Sequence, residues 1–141
     1  MAARTMAQTS EGETLGPVTV AVRRETLVAY ADASGDQNPI HQDEAFARSV
    51  GLPDVIAHGM WTMGAAGSVV AQWAGDAGRV VEFGTRFTKP VVVPADSGAE
   101  VEVSGVVKAL DTESGRARLD LTVTCAGEKV LGRCQAVVQL A

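Results

Sequence analysis

A carboxylate and an imidazole held on one tight turn can move a proton between them, and one stretch of this chain offers such a pair. It reads Tyr-Ala-Asp-Ala-Ser-Gly-Asp-Gln-Asn-Pro-Ile-His over Tyr30–His41 and closes with Ile-Ala-His-Gly at Ile56–Gly59. Both histidines of the 141-residue chain, His41 and His58, fall inside it. Gly35, Asp36, Asn38 and Pro39 stop a helix, because glycine and proline disfavour it and Asx side chains bond to nearby backbone. The turn therefore carries Asp36 and His41 five positions apart, a candidate acid/base pair. Plainer readings stand beside it: Asp36 and Asn38 as turn formers, His41 as a capping or surface histidine. A zinc site built from His41, His58, Cys125 and Cys134 fails on spacing, since no pair has the separation of a ligand motif, and no metal is expected.

The elements that must position this turn follow from pattern. Val18, Val20 and Val22 alternate with Thr19 and Ala21 as in a strand. Residues 26–33 read as a helix that ends at Ser34-Gly35, and residues 43–50 as a short second one with Asp43 and Glu44 in its first turn. From Met60 to Ala74 the chain is apolar or small almost all round, which predicts a central helix buried on every side. Gly64 and Gly67 weaken it by about 1 kcal/mol each relative to alanine, with close approach of a backbone or ligand as the expected compensation. Strand texture then takes over. Residues 80–94 are β-rich around Pro90, residues 100–110 and 118–125 alternate on either side of a turn at 111–115, and residues 129–140 form the last strand. One buried helix followed by an antiparallel sheet that must curl around it is an α+β layout.

The bulk numbers agree with one soluble domain. A length of 141 residues suffices for a core, and 46% hydrophobic with 21% charged residues is ordinary for a globular chain. A net charge of −5 disfavours nucleic acid or an anionic membrane as partner, while leaving room for a phosphorylated ligand held by local cations. Cys125 and Cys134 form neither a disulfide framework nor a ligand pair and read as small buried hydrophobes in a reducing compartment. Residues 1–13 are polar and lack the apolar core of a signal peptide, so a cytoplasmic location is expected. Residues 1–16 read as a flexible lead-in and residues 17–141 as the folded domain.

The motif Ser34-Gly35-Asp36-Gln37-Asn38-Pro39-Ile40-His41, followed by Asp43, Ala45, Ala47, Gly51-Leu52 and Ile56-Ala57-His58-Gly59-Met60, resembles the hydratase-2 signature of MaoC-like dehydratases. Thr62-Met63-Gly64, Trp73-Ala74-Gly75-Asp76, Arg86-Phe87-Thr88, Val93-Pro94 and Gly132-Arg133 are similar to one branch, the catalytic β subunit of the mycobacterial-type (3R)-hydroxyacyl-ACP dehydratase. The resemblance implies a single hotdog fold, a sheet curled around one helix. It also implies a cofactor-free (R)-specific enoyl hydratase/3-hydroxyacyl dehydratase acting on acyl-CoA or acyl-carrier-protein (ACP) thioesters. By the same resemblance Asp36 and His41 match the catalytic dyad, and Asn38 the residue that shapes the turn, with Ser34 and Pro39 beside it. Gly59 matches the glycine whose backbone N–H polarises the thioester carbonyl. His58 matches no catalytic role and is expected to brace the loop by hydrogen bonds. Met60, Trp61, Met63 and Gly64 are candidates for an acyl tunnel. Arg86 and Lys89 are either solvated strand charges or contacts for a phosphopantetheine or an acidic carrier.

A partner is implied too, either an identical chain or a sister hotdog subunit. Two rivals stay open. Hotdog proteins also include acyl thioesterases, which would place a carboxylate and water elsewhere. A non-catalytic subunit would lack an intact dyad, whereas both Asp36 and His41 are present.

Overall fold

The computed structural model describes residues 2–141. Strand β1 (Thr14–Val22) leads into helix α1 (Arg24–Ser34), a short helix α2 (Glu44–Ser49) and the long helix α3 (Gly59–Ala74). Strands β2 (Val80–Phe87), β3 (Ala99–Asp111), β4 (Arg116–Cys125) and β5 (Glu128–Gln139) complete the chain. All pairings are antiparallel, and the five-stranded sheet runs in the order β1-β3-β4-β5-β2. This is the expected single hotdog: a curled antiparallel sheet with one long helix against it.

Alternation places the core. Val101, Val103 and Val107 of β3, Ala117, Leu119, Leu121 and Val123 of β4, and Cys134, Ala136 and Val138 of β5 are buried. They share one cluster with Ala66, Val69, Val70 and Ala74 of α3. Small side chains on both layers let helix and sheet approach closely. Burial pushes the Cys134 thiol above its ordinary range, as suits a hydrophobe, whereas Cys125 at the end of β4 is only partly buried.

Two expectations need correction. α3 is not buried all round: Thr62, Ala65, Ala66, Val69, Val70 and Ala74 face the sheet, while Met60 is 58% exposed and Gly64, Ser68 and Gln72 also face outward. A sheet of five strands curls far enough to cover one side of the helix only. The run 80–94 is not one strand either. β2 stops at Phe87, and beyond Pro90 the chain makes a single bridge between Val92 and Ile56, since proline lacks the N–H a ladder requires. Within the N-terminal lead-in, Arg4 contacts the rest of the chain. Arg4 N–H donates to the Ala74 carbonyl at 2.8 Å, its guanidinium lies 4.3 Å over the Trp73 ring and bonds to Glu13, and Ala141 N–H donates to the Arg4 carbonyl. Met1, the first residue of that lead-in, lies outside the described residues.

No helix among the described residues is long and apolar enough to cross a membrane.

Candidate active site

The turn after α1 is built by local side chain-to-backbone bonds. Gly35 caps the helix in the left-handed region at φ +83° with its N–H on the Ala31 carbonyl, a conformation that favours glycine. Asp36 N–H then donates to Ser34 Oγ at 3.1 Å, Asn38 N–H to Asp36 Oδ1 at 3.1 Å, and Ile40 N–H to Asn38 Oδ1 at 3.2 Å. Pro39 opens a single 3-10 turn, Pro39–His41, which a fixed φ favours. Ser34 and Asn38 thus bond within the turn and Pro39 opens its 3-10 segment. Asp36 keeps its second carboxylate oxygen free of the turn.

That turn delivers His41 to the interior. Its ring is 8% exposed, and Nε2 lies 3.9 Å from Asp36 Oδ2. Nδ1 lies 2.7 Å from the Ile56 carbonyl; a carbonyl only accepts, so Nδ1 carries the hydrogen and Nε2 presents its lone pair towards Asp36. The Ile56 carbonyl is available because the chain there is extended. Ala57 N–H donates to Val91 and Val93 N–H to the Val55 carbonyl, both at 2.8 Å, while Ile56 N–H turns back to the Ile40 carbonyl. Successive residues therefore bond on opposite sides, and Ile56 is the one facing the turn. An ion-pair network anchors the same loop. Arg24 donates from Nη2 to Asp54 Oδ1 at 2.8 Å and from Nε to the Val93 carbonyl at 2.6 Å, and Arg48 bridges to Glu44.

His58 caps α3 and is buried, with 2% of its surface exposed. Its ring stacks on His41 with centroids 3.8 Å apart and planes 23° apart, and Tyr30 leans on it at 4.7 Å. Its Nε2 lies 3.1 Å from the Asp36 carbonyl oxygen.

A cavity of about 290 Å³ opens beside the pair, lined by His41, Ile56, Gly59, Thr62, Phe87 and Lys89, with Val91, Val130 and Leu131 making it largely apolar. Gly59, the first residue of α3, lies under the Phe87 ring; a Cβ there would meet Phe87 Cε1 at 3.0 Å. Of the tunnel candidates, none of Met60, Trp61, Met63 and Gly64 is on this wall. Gly59 and Thr62, one helical turn apart, take that place, while Trp61 packs against the core and Met60 and Gly64 face outward. Lys89 lines the cavity and pairs with Glu128 at 2.9 Å. Arg86 lies elsewhere, in a separate depression with Arg118 and Arg133.

Burial pushes the His41 imidazole below its ordinary pKa; the bond to the Ile56 carbonyl opposes this, the neighbouring His58 adds to it, and Asp36 opposes it again. The ring is therefore neutral at neutral pH, a base with its lone pair free. A single oxygen atom 2.8 Å from both Nε2 and Asp36 Oδ2 would subtend about 90°, so a water or hydroxyl fits between them. Spacing in sequence missed one grouping: Asp36, His41 and His58 bring ligand-type atoms within 4.8 Å of one another. The stacked rings set their lone pairs side by side instead of converging, and two ring nitrogens already face carbonyls. These residues form a poor cradle for an ion.

The Ile56 carbonyl and the Arg24–Asp54 anchor escaped the sequence reading. Arg24 and Asp54 stand thirty residues apart with no local cue, and a carbonyl role has no side-chain signature at all.

Residues 6–124 match the model of a MaoC like domain. A stretch of 72 residues is 43% identical to 3-hydroxyacyl-thioester dehydratase X of Mycobacterium tuberculosis, covering 51% of this chain and 25% of that protein. A solved structure of a MaoC-like dehydratase superposes with a TM-score of 0.96 at 36% identity, over 99% of this chain and 43% of that one. The (R)-hydratase from A. caviae involved in PHA biosynthesis superposes with a TM-score of 0.83 at 26% identity, over 94% of this chain and 98% of that one. The chain thus spans a quarter of the first relative's length and under half of the first structure, but nearly all of the second.

Proposed function

The chain belongs to the MaoC-like domain family, and on that premise we propose that it is a (3R)-3-hydroxyacyl thioester dehydratase, equally an (R)-specific 2-enoyl thioester hydratase. The observation that carries this reading is the Asp36–His41 pair, 3.9 Å apart, with His41 on the wall of an apolar cavity and the lone pair of Nε2 turned to the carboxylate.

Loss of water from a 3-hydroxyacyl thioester breaks a C2–H and a C3–O bond and needs a base, an acid and a donor to the thioester oxygen. His41 Nε2 takes the C2 proton, and the resulting imidazolium is stabilised by Asp36. Negative charge moves onto the thioester oxygen, where the backbone N–H of Gly59 receives it at the positive end of α3. The C3 hydroxyl, seated between Nε2 and the Asp36 carboxylate, takes a proton from that pair and leaves as water. The proton removed from C2 ends on the departing oxygen, and hydration is the same path reversed. The apolar walls formed by Val91, Val130 and Leu131 suit an acyl chain. The relatives' names, a 3-hydroxyacyl-thioester dehydratase and an (R)-hydratase, support the same reaction.

The substrate arrives as a CoA or carrier-protein thioester, with Lys89 at the cavity wall as a cation for its phosphorylated arm. A second hotdog chain, identical or sister, completes the assembly. Met60 and Phe87 are 58% and 55% exposed near the site, and β2 leaves one sheet edge unpaired beside them, a combination that favours a covering partner.

The test is absorbance of the conjugated enoyl thioester when the purified protein meets crotonyl-CoA, alongside an Asp36→Asn, His41→Gln double variant. Loss of the chromophore with wild type only, giving the (3R)-hydroxy product, is the expected result. Thioester cleavage with the double bond intact would favour a thioesterase. Silence from wild type that persists with longer, carrier-linked substrates and a sister subunit would refute the reading.

A further inference from the structure

Buried His58 does more than its hydrogen bond requires. Its Nε2 faces the Asp36 carbonyl at 3.1 Å, which accepts only, so Nε2 carries the hydrogen. Its Nδ1 is buried and has no partner among the described residues. The same ring lies flat against His41 at 3.8 Å and is backed by Tyr30 of α1 at 4.7 Å. Asp36 and His41 thus both rest on His58, one through its backbone and one through its ring.

We propose that His58 is a positioning residue for both members of the pair: its N–H fixes the Asp36 end of the turn, and its ring covers one face of His41. The proposal rests on the hydratase reading for its kinetic consequence but not for its structural one. The two contacts do separable work. The hydrogen bond sets where the carboxylate stands, and misplacement of a reacting group by about 1 Å can cost a hundredfold in rate. The stacked ring keeps water from His41 and so maintains its neutral, basic form, in keeping with burial as the main cause of its lowered pKa.

The charged groups facing His41 are few. Asp36 stands 3.9 Å away on the turn, and Lys89 on the cavity wall is paired with Glu128. From the start of α3 comes His58, and from α1 Tyr30 packs on that ring with centroids 4.7 Å apart. Burial, the Ile56 carbonyl, the stacked His58 ring and the Asp36 carboxylate therefore set the state of His41.

Two substitutions divide the roles. His58→Gln keeps a donor close to the Nε2 position and removes the ring; His58→Phe keeps a ring and removes the donor. The chain has two histidines, so imidazole NMR titration gives two sets of resonances in wild type and one in each variant. In wild type, His41 titrates below the ordinary value near 6.5. In His58→Gln the His41 titration moves up towards that value, and the acid limb of the kcat/KM profile moves with it. In His58→Phe the titration stays put, while kcat falls tenfold to a hundredfold with KM changed by about twofold or less. The proposal is overturned if His41 titrates identically in wild type and His58→Gln, or if His58→Phe keeps full kcat. Should His58→Phe fail to fold, the wild-type and His58→Gln titrations decide. They need no substrate, so a failed hydratase reading would leave them intact.

Discussion

Adding one methyl group at Gly59 should separate catalysis from stability. In Gly59→Ala the new Cβ would lie 3.0, 3.2 and 3.3 Å from three atoms of the Phe87 ring. Those distances require the ring to give by a few tenths of an ångström, and it can, because Phe87 is 55% exposed at the end of edge strand β2. Alanine also favours the helix by up to about 1 kcal/mol, so the net change in stability should stay within about 1 kcal/mol. The cavity fares worse. A methyl takes roughly the 30 Å³ of one water, about a tenth of the 290 Å³ available, at the spot where the thioester carbonyl must meet the N–H of residue 59. One such donor is worth roughly 3–4 kcal/mol to the transition state, and a partial loss of about 1.4–2.8 kcal/mol is a tenfold to hundredfold fall in kcat/KM. Hydration of crotonyl-CoA followed by absorbance, with a thermal melt on the same sample, gives both numbers. Activity within twofold of wild type at an unchanged Tm would mean that the carbonyl does not sit at Gly59.

Further outcomes follow from the same geometry. Asn38→Ala removes the acceptor for Ile40 N–H and should cost about 1 kcal/mol in a urea melt, with a larger loss of activity because His41 follows in the same turn. Because the folded-state pKa of His41 is lowered, the unfolded chain binds more protons in mild acid. The stability this group contributes is complete above about pH 6.5 and is lost as pH falls through 6.5 towards the folded value. Urea melts across that range should therefore show a smaller pH dependence in His41→Gln than in wild type, and kcat/KM should lose activity over the same interval. Leu119→Ala empties a fully buried core position away from the cavity, so it should cost 2–5 kcal/mol while the folded fraction keeps its kcat.

The sequence carried the site through local chemistry. Asp36, Asn38 and Pro39 declare a turn because each bonds or bends the backbone within two residues of itself, and such features survive translation from sequence to structure nearly intact. The strands were legible for a similar reason, since Leu119, Leu121 and Val123 alternate in sequence as they do across the sheet. What stayed hidden depends on contacts over long separations. Nothing around His58 marks it as lying against a residue seventeen positions earlier, and His41 looks like any polar histidine until the Ile56 carbonyl fixes its tautomer. α3 misled because composition reports that Met60 and Gly64 are compatible with burial, not whether a single chain supplies the layer that covers them. Val91–Val93 misled in the same way: its residues favour a strand, but prolines at 90 and 94 limit it to a bridge, and that bridge is what aims Ile56 at His41.

The central claim is that Asp36 and His41 act as one unit on a thioester in this cavity. It is tested most directly by a double-mutant cycle on crotonyl-thioester hydration, using Asp36→Asn, His41→Gln and the combined variant with folding checked by melts. Asn at 36 keeps an oxygen for Asn38 N–H, so Asp36→Asn should remain folded. Each single variant should lose 100-fold to 10,000-fold in kcat, and the combined variant should be barely worse than the poorer single one, because one broken member already disables the unit. Single variants that keep near-wild-type kcat, or losses that multiply fully in the combined variant, would contradict it.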